Sequence, residues 1–282
     1  MSHIAFLGTG LLGGAFVEAA LGRGESVTVW NRTRAKADAL AAHGARVADT
    51  PADAVRGAER VHLVLPDDDV VEAVIAALRP GLDEGVVIVD HSTTRPDRTA
   101  ARAATLAAEG VAYLHCPVFI GPAAARQGQG TILAAGPRAL FERVRPALER
   151  QAESVRWLGE RPDLAAVHKL MGNCYILGIA ALVSDVFAIG RAAGVGATEA
   201  LESLELFDAR NIVRGRGRKM AQGDFTASFE LPMARKDVRL MIETAGALPL
   251  AVLPSFAARM DEAIAAGESD KDFSVIAKDV VG

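Results

Sequence analysis

The spacing of apolar and polar positions divides the chain into two regimes. Up to about residue 160, short apolar runs recur: "HIAFLG", "SVTVWN", "RVHLVLP", "GVVIVDHS", "VAYLHCPV" and "TILAAG". Stretches such as "LLGGAFVEAALGRG" and "TRAKADALAAHG" lie between them and read as helices closing on glycine. Buried strands alternating with helices predict a parallel sheet covered on both faces. The pattern changes at "RWLGERPDL". Pro162 suits the first turn of a helix, and no proline follows from Asp163 to about Ala193. The segment therefore predicts one helix of roughly 45 Å, apolar nearly all round and so expected to be buried on most faces. After Gly194 the periodicity stays helical through "TEALESLELF", "ARNIVRGRGRKMAQG", "PMARKDVRLMIETAG", "SFAARMDEAIAAG" and "FSVIAKDVV", with no strand expected.

The expected fold class is α/β. A Rossmann-type, doubly wound, mainly parallel sheet occupies residues 1–161, and an all-α C-terminal domain occupies 162–282, joined by the long helix. That helix is too apolar for a small helical domain to cover, which predicts a homodimer or a higher oligomer.

The chain has 282 residues, half of them hydrophobic, and a formal net charge of −4. No basic run offers a nucleic-acid surface, so nucleic acid is not an expected partner. Cys116 and Cys174 stand in neither metal-ligand nor CxxC spacing, which points to reduced thiols, a cytoplasmic protein and no metal site. The apolar N-terminus lacks the basic region of a signal peptide. The stretch from Cys174 to Ile189 is short and carries Ser184 and Asp185, so no membrane span is expected.

"FLGTGLLGG" places Gly8, Gly10 and Gly13 in GxGxxG spacing, after a buried strand and at the start of a helix. Glycines there permit a tight turn and the close approach of a pyrophosphate to the helix N-terminus, with Leu11 and Leu12 beside it. The second strand ends in Asn31, Arg32 and Thr33 where an NAD site usually carries an acidic residue for the ribose 2′-hydroxyl. A guanidinium suits a 2′-phosphate instead, which favours NADP(H), and Arg34 and Lys36 add charge nearby. Leu65 and Pro66 follow the third strand, and Ser92 and Thr93 the fourth, at strand ends where open α/β sheets bind ligands. Thr93 has the alternative role of capping the next helix. Within the long helix, "HKLMGNCY" sets Lys169 and Asn173 at i, i+4 on one face. A buried ammonium is costly unless it is paired or in use.

These motifs resemble the β-hydroxyacid dehydrogenase family over almost the whole chain. "GTGLLGG" with "NRT" resembles its cofactor signature, "DHSTTRP" its DxST element, and "CPVFIGPAAARQGQGTILAAG" its substrate loop. "HKLMGN" resembles its KxxxN helix and "ARKDVRL" its late KD motif. The resemblance implies that Lys169 is the general acid/base, that Asn173 orients the substrate, and that Lys236 lies against the cofactor. It also implies a small carbonyl/alcohol substrate, of semialdehyde or keto-acid type, and dimers contacting across the long helix. Ser92, Phe119, Ile120 and Gly121 join Lys169 and Asn173 as expected substrate contacts. One departure stands out. Many members carry Ser-Gly after the Pro-Val pair, whereas Phe119 and Ile120 follow Pro117 and Val118 here. Either the pocket takes a less polar carbonyl compound, or Phe119 packs inward and backbone N–H groups from Gly121 onward still bind an acid. Two other functions compete: an imine reductase-like enzyme, a group that typically lacks the lysine, and an NADP-binding protein without turnover.

Overall fold

The computed structural model describes residues 3–281. The first part alternates strands and helices: β1 (His3–Leu7), α1 (Leu11–Gly22), β2 (Ser26–Trp30), α2 (Arg34–Ala41), β3 (Arg46–Val47), α3 (Pro51–Val55), β4 (Arg60–Leu63), α4 (Asp68–Leu78), β5 (Val87–Asp90), α5 (Pro96–Ala108) and β6 (Ala112–His115). A second set follows: β7 (Val118–Phe119), α6 (Pro122–Arg126), β8 (Thr131–Ala134), α7 (Arg138–Leu148) and β9 (Ser154–Trp157). The remainder is helical: α8 (Leu164–Ala192), α9 (Ala197–Leu204), α10 (Ala209–Ala221), α11 (Leu231–Ala245) and α12 (Leu253–Ala265).

The main sheet is parallel throughout, in the order β3-β2-β1-β4-β5-β6. Strand order reverses between β1 and β4, which opens a crevice beyond their C-terminal ends. Successive side chains of β1 serve two cores, as the period of a strand requires. Ile4 and Phe6 pack with Phe16 of α1 and with Val27 and Val29, while Ala5 and Leu7 pack with Val61, Leu63, Val71 and Leu78 on the other face. A small second sheet runs β7-β8-β9, with β7 antiparallel and β9 parallel to β8. The strands β3, β7 and β9 were not expected from the pattern. The first two are two residues long, and β9 is only partly buried, so neither apolar run nor alternation marks them.

The chain divides into two compact units between Asn173 and Cys174, inside α8. The first turns of α8 belong to the first unit, where Ala165 packs on Leu133 and Ala135. In the second unit, Leu231, Ala234 and Val238 of α11 pack on Leu253, Ala257 and Met260 of α12. Asp185 explains its own presence in the apolar helix. Its carboxylate accepts the N–H groups of Ala251, Val252 and Leu253 and so caps α12. The rest of α8 departs from the expected burial. Tyr175, Ile176, Leu177, Ile179 and Leu182 are exposed in the single chain. By length and composition α8 is long and apolar enough to cross a membrane, yet Lys169, Asn173 and Asp185 within it all find partners in the protein.

The terminal "FSVIAKDVV" is not a regular helix: Phe273–Ala277 form a 3₁₀ turn. Asp272 explains it, since its carboxylate takes bonds from Ser228, Phe229, Ser274 and Arg216 and holds the chain in a tight turn.

Candidate active site

A groove of about 830 Å³ lies over the reversal of strand order. Gly8, Gly10, Leu11, Leu12 and Gly13 line it from the first loop, and Trp30, Asn31, Arg32, Thr33 and Lys36 from the end of β2 and the start of α2. The glycine spacing has a steric cause at two positions. Gly8 has φ +98°, and a Cβ on it would lie 2.2 Å from the Val64 carbonyl oxygen; a Cβ on Gly13 would lie 2.0 Å from the Gly8 carbonyl oxygen. By contrast, a Cβ at Gly10 would meet open space, and α1 begins there with no side-chain cap and no acidic residue in its first turn. Free N–H groups at a helix N-terminus favour an anion. Asn31 ties the two walls together, accepting from Thr9 N–H and donating to the Thr33 carbonyl. Arg34 is turned away from the expected role, since it pairs with Asp38 and Asp49. Arg32 and Lys36 form no ion pair among the described residues and face the groove. The residues present fit a dinucleotide with a 2′-phosphate: an open backbone cradle, two uncommitted cations and no carboxylate at the end of β2.

The opposite wall comes from Leu65, Pro66, His91, Ser92 and Thr93. Asp90, fully buried, builds this loop by accepting from Ser92 N–H and from the Tyr113 hydroxyl. Ser92 Oγ accepts from Leu65 N–H at 3.0 Å and joins the ends of β4 and β5. Thr93 is exposed and does not cap α5, whose flanking residue is Arg95. Arg95 N–H is instead taken by Asp68, itself paired with Arg102.

Behind the loop lies a buried chain of imidazoles. His91 Nδ1 lies 2.8 Å from the Cys116 carbonyl, which can only accept. His91 Nε2 must then accept from His62 Nδ1 at 2.9 Å, and His62 Nε2 accepts from Arg60 Nε at 3.1 Å. The partners thus assign both rings as neutral Nδ1–H tautomers. Burial pushes His62 well below the usual histidine range and His91 down to about 4.

Lys169 and Asn173 meet as their spacing requires, with Nζ donating to Asn173 Oδ1 at 2.9 Å. The ammonium lies 4.3 Å from the centroid of the Phe119 ring. Lys169 is 9 % exposed, and burial holds its pKa below the ordinary lysine value. Between the two polar residues sits Gly172, where a Cβ would lie 2.2 Å from Phe119 Cζ. The tip of the ring thus seats on the bare helix backbone. Ile120 packs against the main core, and Gly121 precedes the short α6. Lys236 lies on α11 in the second unit, half-exposed and paired with Asp237.

The profile described as "NAD binding domain of 6-phosphogluconate dehydrogenase" matches residues 3–159, more than half of the chain. A second, "NAD-binding of NADP-dependent 3-hydroxyisobutyrate dehydrogenase", matches residues 165–280. The chain belongs to the β-hydroxyacid dehydrogenase superfamily. It is an NADP(H)-binding oxidoreductase of that superfamily. Glyoxylate/succinic semialdehyde reductase 1 of Arabidopsis thaliana is 28 % identical over 97 % of this chain and 96 % of its own length. Among solved structures, an imine reductase from Streptomyces aurantiacus aligns with a TM-score of 0.89 at 26 % identity, covering 98 % of this chain and 99 % of that one. The imine reductase from Myxococcus stipitatus in complex with NADP+ has the same fold, with a TM-score of 0.90, 23 % identity and the same coverage.

For this β-hydroxyacid dehydrogenase-type chain, sequence reasoning overlooked one wall of the groove. Asp69, Val70, Ala73, Val74 and Ala77 of α4 line it. Their helical spacing directly after "LVLP" was the available signal. It also overlooked His91 and His62, whose pairing across two strands leaves no local pattern.

Proposed function

We propose that the protein is an NADPH-dependent reductase of a C=N bond in a small substrate without a carboxylate, with Lys169 as proton donor. The observation that carries this reading is the Phe119 ring against Lys169 and Gly172, where many relatives present Ser-Gly. The ring offers an apolar wall and no donor to a carboxylate. The similarity to the Streptomyces imine reductase supports the same reading. NADPH, when bound, supplies the hydride to the substrate carbon. Lys169 gives its proton to the nitrogen, and its lowered pKa eases that transfer. Once deprotonated, the amine no longer opposes positive charge on the substrate. Asn173 holds the amine through its side-chain oxygen. The glycine loop, Asn31, Thr33, Leu65, Pro66, Ser92 and Thr93 are assigned to the cofactor, with Arg32 and Lys36 on its 2′-phosphate.

A second reading is reduction of an aldehyde or ketone to its alcohol by the same two transfers. The Lys169–Asn173 pair favours it, as does the name of the Arabidopsis relative. We also assign a homodimer, formed over the exposed apolar face of α8, because that face is large for a monomer. Both cysteines are free, in keeping with a cytoplasmic protein.

Steady-state NADPH oxidation with cyclic imines, uncharged ketones and aldehydes, and carboxylate-bearing aldehydes tests the proposal. Turnover of imines above the other classes is the expected result. Preferred turnover of the acids would overturn it. Tight NADPH binding with no turnover of any class would indicate a binding module.

A further inference from the structure

We propose that Phe119 is a positioning residue that seats the Lys169 ammonium for proton transfer, its ring standing in for the counter-carboxylate that a buried cation usually requires. The inference rests on the reading of Lys169 as proton donor. A mostly buried ammonium needs partners for its charge and for three N–H donors. Among the described residues no carboxylate pairs with Lys169, and burial is the one cause that shifts its pKa. Asn173 takes one N–H at 2.9 Å. The negative face of the Phe119 ring lies 4.3 Å away and offsets the charge. That leaves one N–H for the nitrogen or oxygen of a substrate.

The seat is built from three coupled features. Phe119 sits on β7, in register with Thr131 of β8, so strand pairing holds its backbone. Its side chain packs beside Leu133, Ala135 and Ala165. Its tip rests on Gly172, the one residue of the Lys169–Asn173 turn that leaves room for it. Val118 and Phe119 of β7 and Thr131–Ala134 of β8 carry no ionisable side chain. On α8 the neighbouring titratable groups are His168 and Cys174, both exposed. The ring face and the Asn173 side-chain oxygen are therefore the groups against the ammonium that respond to its charge. Two further bonds hold the segment leading to it: His91 donates to the Cys116 carbonyl, and His115 Nε2 lies 3.0 Å from the Ser92 carbonyl.

The sign of the effect separates a charge-seating ring from an apolar wall. Desolvation lowers the lysine pKa whether the neighbour is aromatic or aliphatic, whereas a ring face favours the protonated form. Phe119→Leu should keep the desolvation, lose the ring face, and lower the Lys169 midpoint by about 0.5–1.5 pH units. Phe119→Tyr should leave it as in the parent. Gly172→Ala, which pushes the ring tip off the helix with Phe119 still present, should shift it in the same direction as Leu.

The measurement is trace acetylation of the full-length protein with acetic anhydride across pH, Lys169 being followed by peptide mass spectrometry. NADPH binding serves as the check that each variant is folded. This readout needs no turnover, so it fails independently of any assignment of the reaction. A lowered midpoint for Leu and Ala with an unchanged one for Tyr supports the proposal. An unchanged or raised midpoint for Leu, or Tyr behaving as Leu, overturns it.

Discussion

Arg32 stands at the end of β2, where the acidic residue of an NAD site would repel a 2′-phosphate, and it faces the groove without an ion-pair partner among the described residues. Arg32→Ala should weaken NADPH binding about tenfold or more while NADH binding stays nearly constant, since one charge-assisted contact contributes about 1.5–3 kcal/mol. An unchanged NADPH/NADH ratio in titrations would remove Arg32 from the site. Under the proposed mechanism Lys169 acts in reduction through its protonated form, and burial lowers its pKa. Hence kcat/KM should fall as pH rises through a midpoint below the ordinary lysine value. Lys169→Met should bind NADPH as the parent does and lose roughly 100-fold or more in kcat/KM. The Lys169–Asn173 pair and the glycine turn were legible because each depends on spacing along one element. The ring beneath Lys169 was not, because Phe119 reaches it across sheet and helix from fifty residues away in sequence.

Between elements, two buried polar arrangements carry stability. The His62–His91 chain joins β4, the loop after β5 and the carbonyl of Cys116. His91 has its folded pKa lowered to about 4, beneath the ordinary 6.5, so the unfolded chain binds the proton more strongly. Its contribution is complete above about pH 6.5 and is lost as pH falls towards 4, which amounts to about 2 kcal/mol at pH 5. Urea midpoints should therefore drop between pH 7 and pH 5, and His91→Phe should flatten that slope; an undiminished slope would exclude the histidine as its source. Asp185 caps α12 with three backbone bonds, which hold its pKa down against the opposing effect of burial. Asp185→Asn places an amide donor against N–H groups and should cost about 1–3 kcal/mol, read as a lower melting midpoint. The carboxylate's contribution is present above the usual aspartate value and fades as pH falls through the lowered one. The buried strands of the main sheet and the helices α1, α2 and α8 to α12 were legible from periodicity, whereas the terminal "FSVIAKDVV" read as a helix and forms a 3₁₀ turn. The strands β3, β7 and β9 were not, because so short a segment is defined by its hydrogen-bonded neighbour.

At the scale of the whole molecule, the long helix carries the main consequence. Its residues Tyr175, Ile176, Leu177, Ile179 and Leu182 are exposed in one chain. Light scattering after gel filtration should give at least twice the 29.5 kDa chain mass, and Leu177→Glu should shift the population towards monomer. A parent protein that elutes as a monomer at micromolar concentration would reject the dimer.

The sequence by itself determined the strand–helix alternation, the glycine cradle for a dinucleotide, the preference for a 2′-phosphate and the Lys169–Asn173 face. Each follows from spacing along a single strand, turn or helix. Only the tertiary structure decided that Arg34 pairs with Asp38 and Asp49, that Asp185 caps a helix 66 residues away, and that Phe119 lies against the Lys169–Asn173 face of α8. These depend on which distant backbone segment presents a partner. That choice is set by packing between elements, where local pattern carries no signal.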